Sequence, residues 1–238
     1  MDENSYLRKP PINLNAKQVI AINALSFSVD ICEIAFEKLI KDLVSFSNNP
    51  KSEKLIFPKI FSNVWTIINN SCLFRNILEK HFGVLKTNIS MLEFNKAKRI
   101  RNTNQHIEDR INEILTLETL PIYGSLSWYR NIENSNNVEQ FFLFSGVFDD
   151  IKKVGGEMIT PNKDKSNRII DELIFSSVTK LNENNYPTLT ISLYKIMEDI
   201  TFWVEYLELE ISKNMNGNEN IERHKINLYA KLKSHWTE

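Results

Sequence analysis

The chain has 238 residues, 29 Lys and Arg against 30 Asp and Glu, and a hydrophobic fraction of 42%. These are the proportions of a soluble globular domain able to bury its own core, and a net charge of -1 confines any nucleic-acid contact to a local basic patch. Six glycines, two cysteines and the lack of a long apolar run point away from collagen-like, disulfide-framework and membrane-spanning classes.

Met1-Asp2-Glu3-Asn4-Ser5 is acidic and polar, unlike the basic start of a secretory signal, so a cytoplasmic protein is expected. Cys32 and Cys72 sit in apolar helical patterns and read as reduced core residues. Pro10-Pro11 closes a short leader. From about Asn15 to Ser47, Val19, Ile22, Leu25, Val29, Cys32, Phe36, Leu39 and Leu43 recur at helical spacing. Asn48-Asn49-Pro50 ends that helix. Ile60, Val64, Ile67, Phe74 and Leu78 mark a second helix ending near Phe82, with Gly83 as its cap. A third helix is expected from about Ser90 through Leu115, with Ile100, Ile107, Ile111 and Ile114 inward and Pro121 beyond it.

The pattern then changes. Residues 124–132, a polar turn at 133–137, and Val138 to Phe148 read as strand, turn and strand. After a polar loop around Gly155-Gly156, Ile169 to Val178 reads as a third strand or the start of a helix. Leu189, Leu193, Ile196, Met197, Ile200, Trp203, Val204, Leu207 and Ile211 then form the cleanest helical stripe. The expected fold is mainly α. It is a single domain, 1–238, built as an antiparallel four-helix bundle from about 14–118 and 188–213. A small β-sheet insertion at about 121–180 lies between the third and last long helices, and 214–238 is a polar tail. A layered α+β domain is the alternative.

Chemistry concentrates on the third helix, in Lys98-Arg99-Ile100-Arg101-Asn102-Thr103-Asn104-Gln105-His106. Histidine can move a proton near neutral pH, and arginine offers phosphate oxygens a planar, permanently charged donor fork. RNA cleavage through the ribose 2′-OH needs those functions and no metal. At about 100° per residue, Arg99, Asn102, His106 and Arg110 share a helix face, whereas Arg101 lies about 140° from His106. Two copies of the helix packed about a two-fold axis could therefore assemble one shared site.

Arg101-Asn102-x-x-x-His106 resembles the motif of the HEPN superfamily, helical bundles that are often ribonucleases, in which Arg is followed by a polar residue and then His after four to six residues. The resemblance implies catalytic Arg101 and His106, with Asn102 orienting the imidazole. It also implies a homodimer and a role in defence or a toxin–antitoxin system, with an antitoxin or nucleotidyltransferase partner. Arg99 and Arg110 would hold RNA phosphates, with no cofactor and no metal. The bland alternative pairs Arg99, Arg101 and Arg110 with Glu93, Glu108 and Asp109 on a solvated face.

Other candidates read more simply. His81 is a favourable charge at a helix end, and His224 and His235 lie in the tail. Ser125-Leu126-Ser127-Trp128-Tyr129-Arg130 is a strand packing on the helices, with RNA stacking as its alternative. Asp149, Asp150 and Glu157 form a solvated turn, Gly155-Gly156 lacks a phosphate-loop pattern, and Phe141 to Phe148 is core. The competing function is a non-enzymatic helical module that dimerises or binds protein through the β unit or the last helix.

Overall fold

A computed structural model describes residues 1–50, 56–105, 123–132, 138–145, 168–179, 187–215 and 222–227. Helix α1 is Ala16–Asn48. Asn15 caps it: its side chain accepts the Gln18 amide at 3.0 Å while the Gln18 side chain accepts the Asn15 amide at 3.0 Å. Asn15→Ala should cost about 1 kcal/mol, read as a shift of the urea midpoint at constant slope; no shift would remove the cap from the account. Helix α2, Ile56–His81, ends where Gly83 adopts φ 69° and the Val84 amide folds back onto the Leu78 carbonyl at 3.2 Å. A 3₁₀ turn, Ile89–Met91, leads into α3, Leu92–Asn104. Helix α3 ends at Asn104 with Gln105 as its C-cap, short of the expected Leu115; residues 106–115 lie outside the described residues, as do the polar turn at 133–137 and the loop around Gly155-Gly156.

Strands β1 Ser125–Asn131, β2 Val138–Phe144, β3 Ile170–Val178 and β4 Thr188–Ser192 form one antiparallel sheet in the order β2-β1-β3-β4. Helix α4, Leu193–Asn214, follows directly.

The sheet corrects the expected architecture. It is a central layer of the molecule, not a small insertion in a four-helix bundle. Leu143, Leu126, Phe175 and Ile191 lie opposite one another across all four strands, each at most 2% exposed. That continuous apolar row needs a helical layer over it. Helices α1 and α2 pair closely, α3 packs on α2 and on β4, and α4 packs on β3. Ring contacts tie the layers: Trp65 of α2 meets Phe175 edge-on at 5.6 Å, and Phe36 of α1 meets Tyr194 of α4 at 5.2 Å.

Strand β4 is a second correction. Leu189 belongs to it and not to the last helix. Thr188-Leu189-Thr190-Ile191 alternates polar and apolar with two threonines, and pairs with β3 from Val178↔Thr188 to Ile174↔Ser192. Ser192 then caps α4, its hydroxyl accepting the Lys195 amide at 3.2 Å.

Two backbone features shape the sheet. Between the Ser127 and Tyr129 pairings, β3 carries a bulge, with Glu172 at φ 48° and its amide on Asp171 Oδ1 at 3.0 Å. Gly124, at φ 94°, lies so close to β3 that a Cβ there would overlap the Phe175 ring and stand 2.9 Å from the Ser176 carbonyl.

Part of the polar tail meets the leader. The His224 amide donates to the Pro10 carbonyl at 2.8 Å, the Ile12 amide to Glu222 at 3.1 Å, and Arg223 lies 4.3 Å over the Tyr6 ring. Residues 222–224 are thus strapped to the leader. Helix α1 contains an 18-residue window of mean hydropathy 1.8, enough by length and composition to cross a membrane; 44% of that window is buried inside the protein.

Candidate functional site

Helix α3 turns Ile100 fully inward and leaves Arg99 and Asn102 exposed, with Lys98 and Arg101 half-buried. Arg99 and Asn102 therefore share the outward face expected of them. His106 and Arg110 lie outside the described residues, so their relation to that face rests on the sequence.

Arg101 reaches across to α2, where its Nε donates to Asn69 Oδ1 at 3.2 Å. This neutral anchor holds the guanidinium without cancelling its charge. Of the three carboxylates expected to pair with these arginines, Glu108 and Asp109 lie outside the described residues, and Glu93 is engaged elsewhere: Oε1 pairs with Lys96, and Oε2 accepts the Ser192 amide at 3.1 Å at the start of α4. Four other arginines have carboxylate partners, whereas Arg223 instead meets the Asn4 carbonyl and the Tyr6 ring. Arg8 pairs with Asp30 at 2.6 Å, Arg75 with Glu79 at 2.8 Å, Arg130 with Glu139 at 3.8 Å and Arg168 with Glu198 at 3.5 Å. Among the described residues, no carboxylate pairs with Arg99 or Arg101.

The positive field extends inward. Burial pushes the Cys72 thiol up to about 11, against the opposing pull of Arg101, Arg75 and Lys98. Burial likewise pushes Cys32 up to about 12. Both cysteines are free, buried and protonated at neutral pH, as the reduced-core reading has it. Among the described residues, no group of three His, Cys, Asp or Glu side chains could hold a metal ion.

Sequence reasoning missed Asn69 and Arg75. Arg75 is only 2% exposed; its Nε joins α2 to α3 by donating to Asn95 Oδ1 at 2.8 Å, while Nη1 donates to its α2 neighbour Asn76 Oδ1 at 3.0 Å. Asp199 of α4 is equally buried and pairs with Lys195 at 2.9 Å; burial outweighs that pairing and holds its carboxyl above the usual range.

The remaining candidates find structural roles. Trp128 is fully buried, stacked on Phe141 at 5.3 Å, with Nε1 donating to Ser47 Oγ at 3.1 Å. Arg130 donates to the Ser47 carbonyl at 3.2 Å. The strand reading of 125–130 therefore holds for these side chains. His81 is exposed in the last turn of α2 beside Lys80. Asp149, Asp150, Glu157 and His235 lie outside the described residues.

Two cavities flank the helices. One, of about 460 Å³, lies between the leader and α4. Its Glu208 is occupied by the leader, accepting from the Ser5 hydroxyl and from the Tyr6 and Leu7 amides at 3.1 and 3.2 Å. The other, of about 640 Å³, lies between the first half of α2 and the ends of β1 and β2 and is lined by aromatic rings. No family model, curated protein or solved structure matches this chain.

Proposed function

We propose that the protein is a cytoplasmic, metal-independent endoribonuclease acting through Arg101, Asn102 and His106. The observation that carries this reading is the pair of α3 arginines, Arg99 and Arg101, for which the described residues supply no carboxylate partner, Arg101 being held by Asn69. Such a surface is built for an anion, and the motif around it adds the proton-transfer group. The guanidinium fork of Arg101 binds non-bridging phosphate oxygens, and Arg99 and Arg110 bind neighbouring phosphates. A base removes the ribose 2′-OH proton. The 2′ oxygen attacks the adjacent phosphorus, and the bond to the 5′ oxygen breaks as an acid protonates it. His106 fills one proton role, and its copy in a homodimer fills the other.

The test is incubation of wild type with a mixed RNA pool in EDTA, followed by analysis of the new ends. The proposal expects 2′,3′-cyclic phosphates and 5′-hydroxyls. Cleavage that EDTA abolishes, or none by a folded dimer over a broad RNA pool, counts against it.

A second reading, a non-enzymatic dimerisation module, is favoured by the exposed apolar stripe Ile20, Phe27, Ile31 and Ile34 along α1. Under that reading Ile31→Lys disrupts self-association, and wild type leaves RNA intact.

A further inference from the structure

The aromatic cavity and the Arg101 anchor lie on one stripe of α2. Pro58, Ser62 and Trp65 line the cavity, and Asn69 is the next residue at that helical spacing. Trp65 and Asn69 are one turn apart, about 6 Å. Asn69 holds Arg101. An aromatic chamber therefore adjoins a cation oriented for phosphate.

The chamber walls are fixed before any ligand arrives. Trp65 Nε1 donates to the Tyr123 carbonyl at 3.2 Å, and its ring is braced edge-on by Phe175. The Tyr123 amide donates to Ser145 Oγ at 2.9 Å, and that hydroxyl donates to the Gly124 carbonyl at 2.8 Å. Phe57, Phe61 and Phe144 supply further rings, and Tyr123 and Phe57 are 55% and 42% exposed. Among the described residues, no charged side chain lines the chamber. Its volume, about 640 Å³, is in the range of small-molecule sites.

We propose that this chamber receives an unstacked nucleobase of single-stranded RNA whose phosphate is held by Arg101. A planar, uncharged aromatic ring matches the lining, and stacking tolerates any base, so the chamber adds affinity with little sequence preference. This inference rests on the ribonuclease reading and names its substrate as single-stranded RNA.

The test is fluorescence anisotropy with a labelled 2′-O-methyl RNA hexamer, which keeps bases and phosphates but has no nucleophile, and with its abasic counterpart. Wild type should bind the intact hexamer about 5- to 100-fold more tightly than the abasic one. Phe57→Ala and Tyr123→Ala, at exposed positions, should shrink that preference without altering the circular dichroism spectrum. Arg101→Ala should weaken both ligands. Equal binding of intact and abasic hexamers, or a preference untouched by both cavity variants, overturns the inference. If that equal binding is still lost in Arg101→Ala, the ribonuclease reading stands while the chamber assignment falls. Binding of neither hexamer overturns both, and base-dependent binding indifferent to Arg101 keeps the chamber and removes the phosphate role.

Discussion

His106→Ala should lower RNA cleavage by about 100- to 10,000-fold, the usual contribution of a positioned proton-transfer group. Arg101→Ala should lower it by about 100- to 1,000-fold, the scale of losing one preorganised donor to developing charge. Arg101→Lys should recover little, because the ammonium restores charge but not the two-pronged geometry. Asn69→Ala separates holding from charge. The guanidinium stays, but its Nε loses the acceptor at 3.2 Å. Misplacement of this kind costs up to about 100-fold, and should appear in kcat more than in KM. Initial rates on one RNA, with circular dichroism and gel filtration on each variant, check the series. Arg101→Ala retaining more than about a tenth of wild-type activity would contradict the assignment.

Arg75→Ala should destabilise the fold by about 3 kcal/mol with no direct part in chemistry. The side chain is 2% exposed and makes three contacts: Asn95, Asn76 and Glu79. Truncation leaves the half-buried acceptors on Asn95 and Asn76 without this donor, at the low end of about 1–3 kcal/mol each, and opens a void beside the buried Arg75 stem. Glu79 is not stranded, because Lys86 still pairs with it at 2.9 Å, which keeps the loss from growing further. For a chain of this length the change corresponds to roughly 6–12 °C in Tm. Arg75→Lys should rescue only part, since one ammonium cannot reach three acceptors on two helices. A loss below about 1 kcal/mol would show that Arg75 is not what joins them.

Glu79 adds a pH signature to the same contact. The hydrogen bond from Lys86, with the charges of Arg75 and Lys86 and the hydrogen bond from Arg75, holds its carboxyl below the usual range, against a desolvation cost second in size only to the Lys86 hydrogen bond. Its contribution is therefore present above the ordinary carboxylate pKa and is lost as the pH falls through its lowered value.

The local features of the fold were legible because their causes are local. The apolar spacing that begins near Asn15 announces the start of α1, Gly83 the end of α2, and the aromatic-rich segments around Trp128 and Phe141 the β1–β2 pair. The central place of the sheet was not legible. Its inner row draws Leu126, Leu143, Phe175 and Ile191 from four separate segments, and no periodicity links them. Leu189 was assigned to the last helix because its spacing to Leu193 suits a helix as well as a strand followed by a helix. At the candidate site, the helix face of Arg99 and Asn102 follows from periodicity alone. The Arg101–Asn69 contact spans 32 residues between two helices, so only tertiary packing reveals it. For the same reason the contact of Glu93 with the Ser192 amide was hidden, whereas its i,i+3 pairing with Lys96 is local.

The central claim is that the α3 arginines Arg99 and Arg101 hold RNA phosphate. Its most direct test is the salt dependence of binding to a 2′-O-methyl RNA, comparing wild type, Arg101→Ala and Arg168→Ala, the last being an arginine already paired with Glu198. Each phosphate contact contributes about 0.7 to the slope of log affinity against log salt for a single strand. The account predicts that Arg101→Ala lowers the slope by about that amount and that Arg168→Ala leaves it unchanged. An unchanged slope in Arg101→Ala, or an equal fall in both variants, would contradict it.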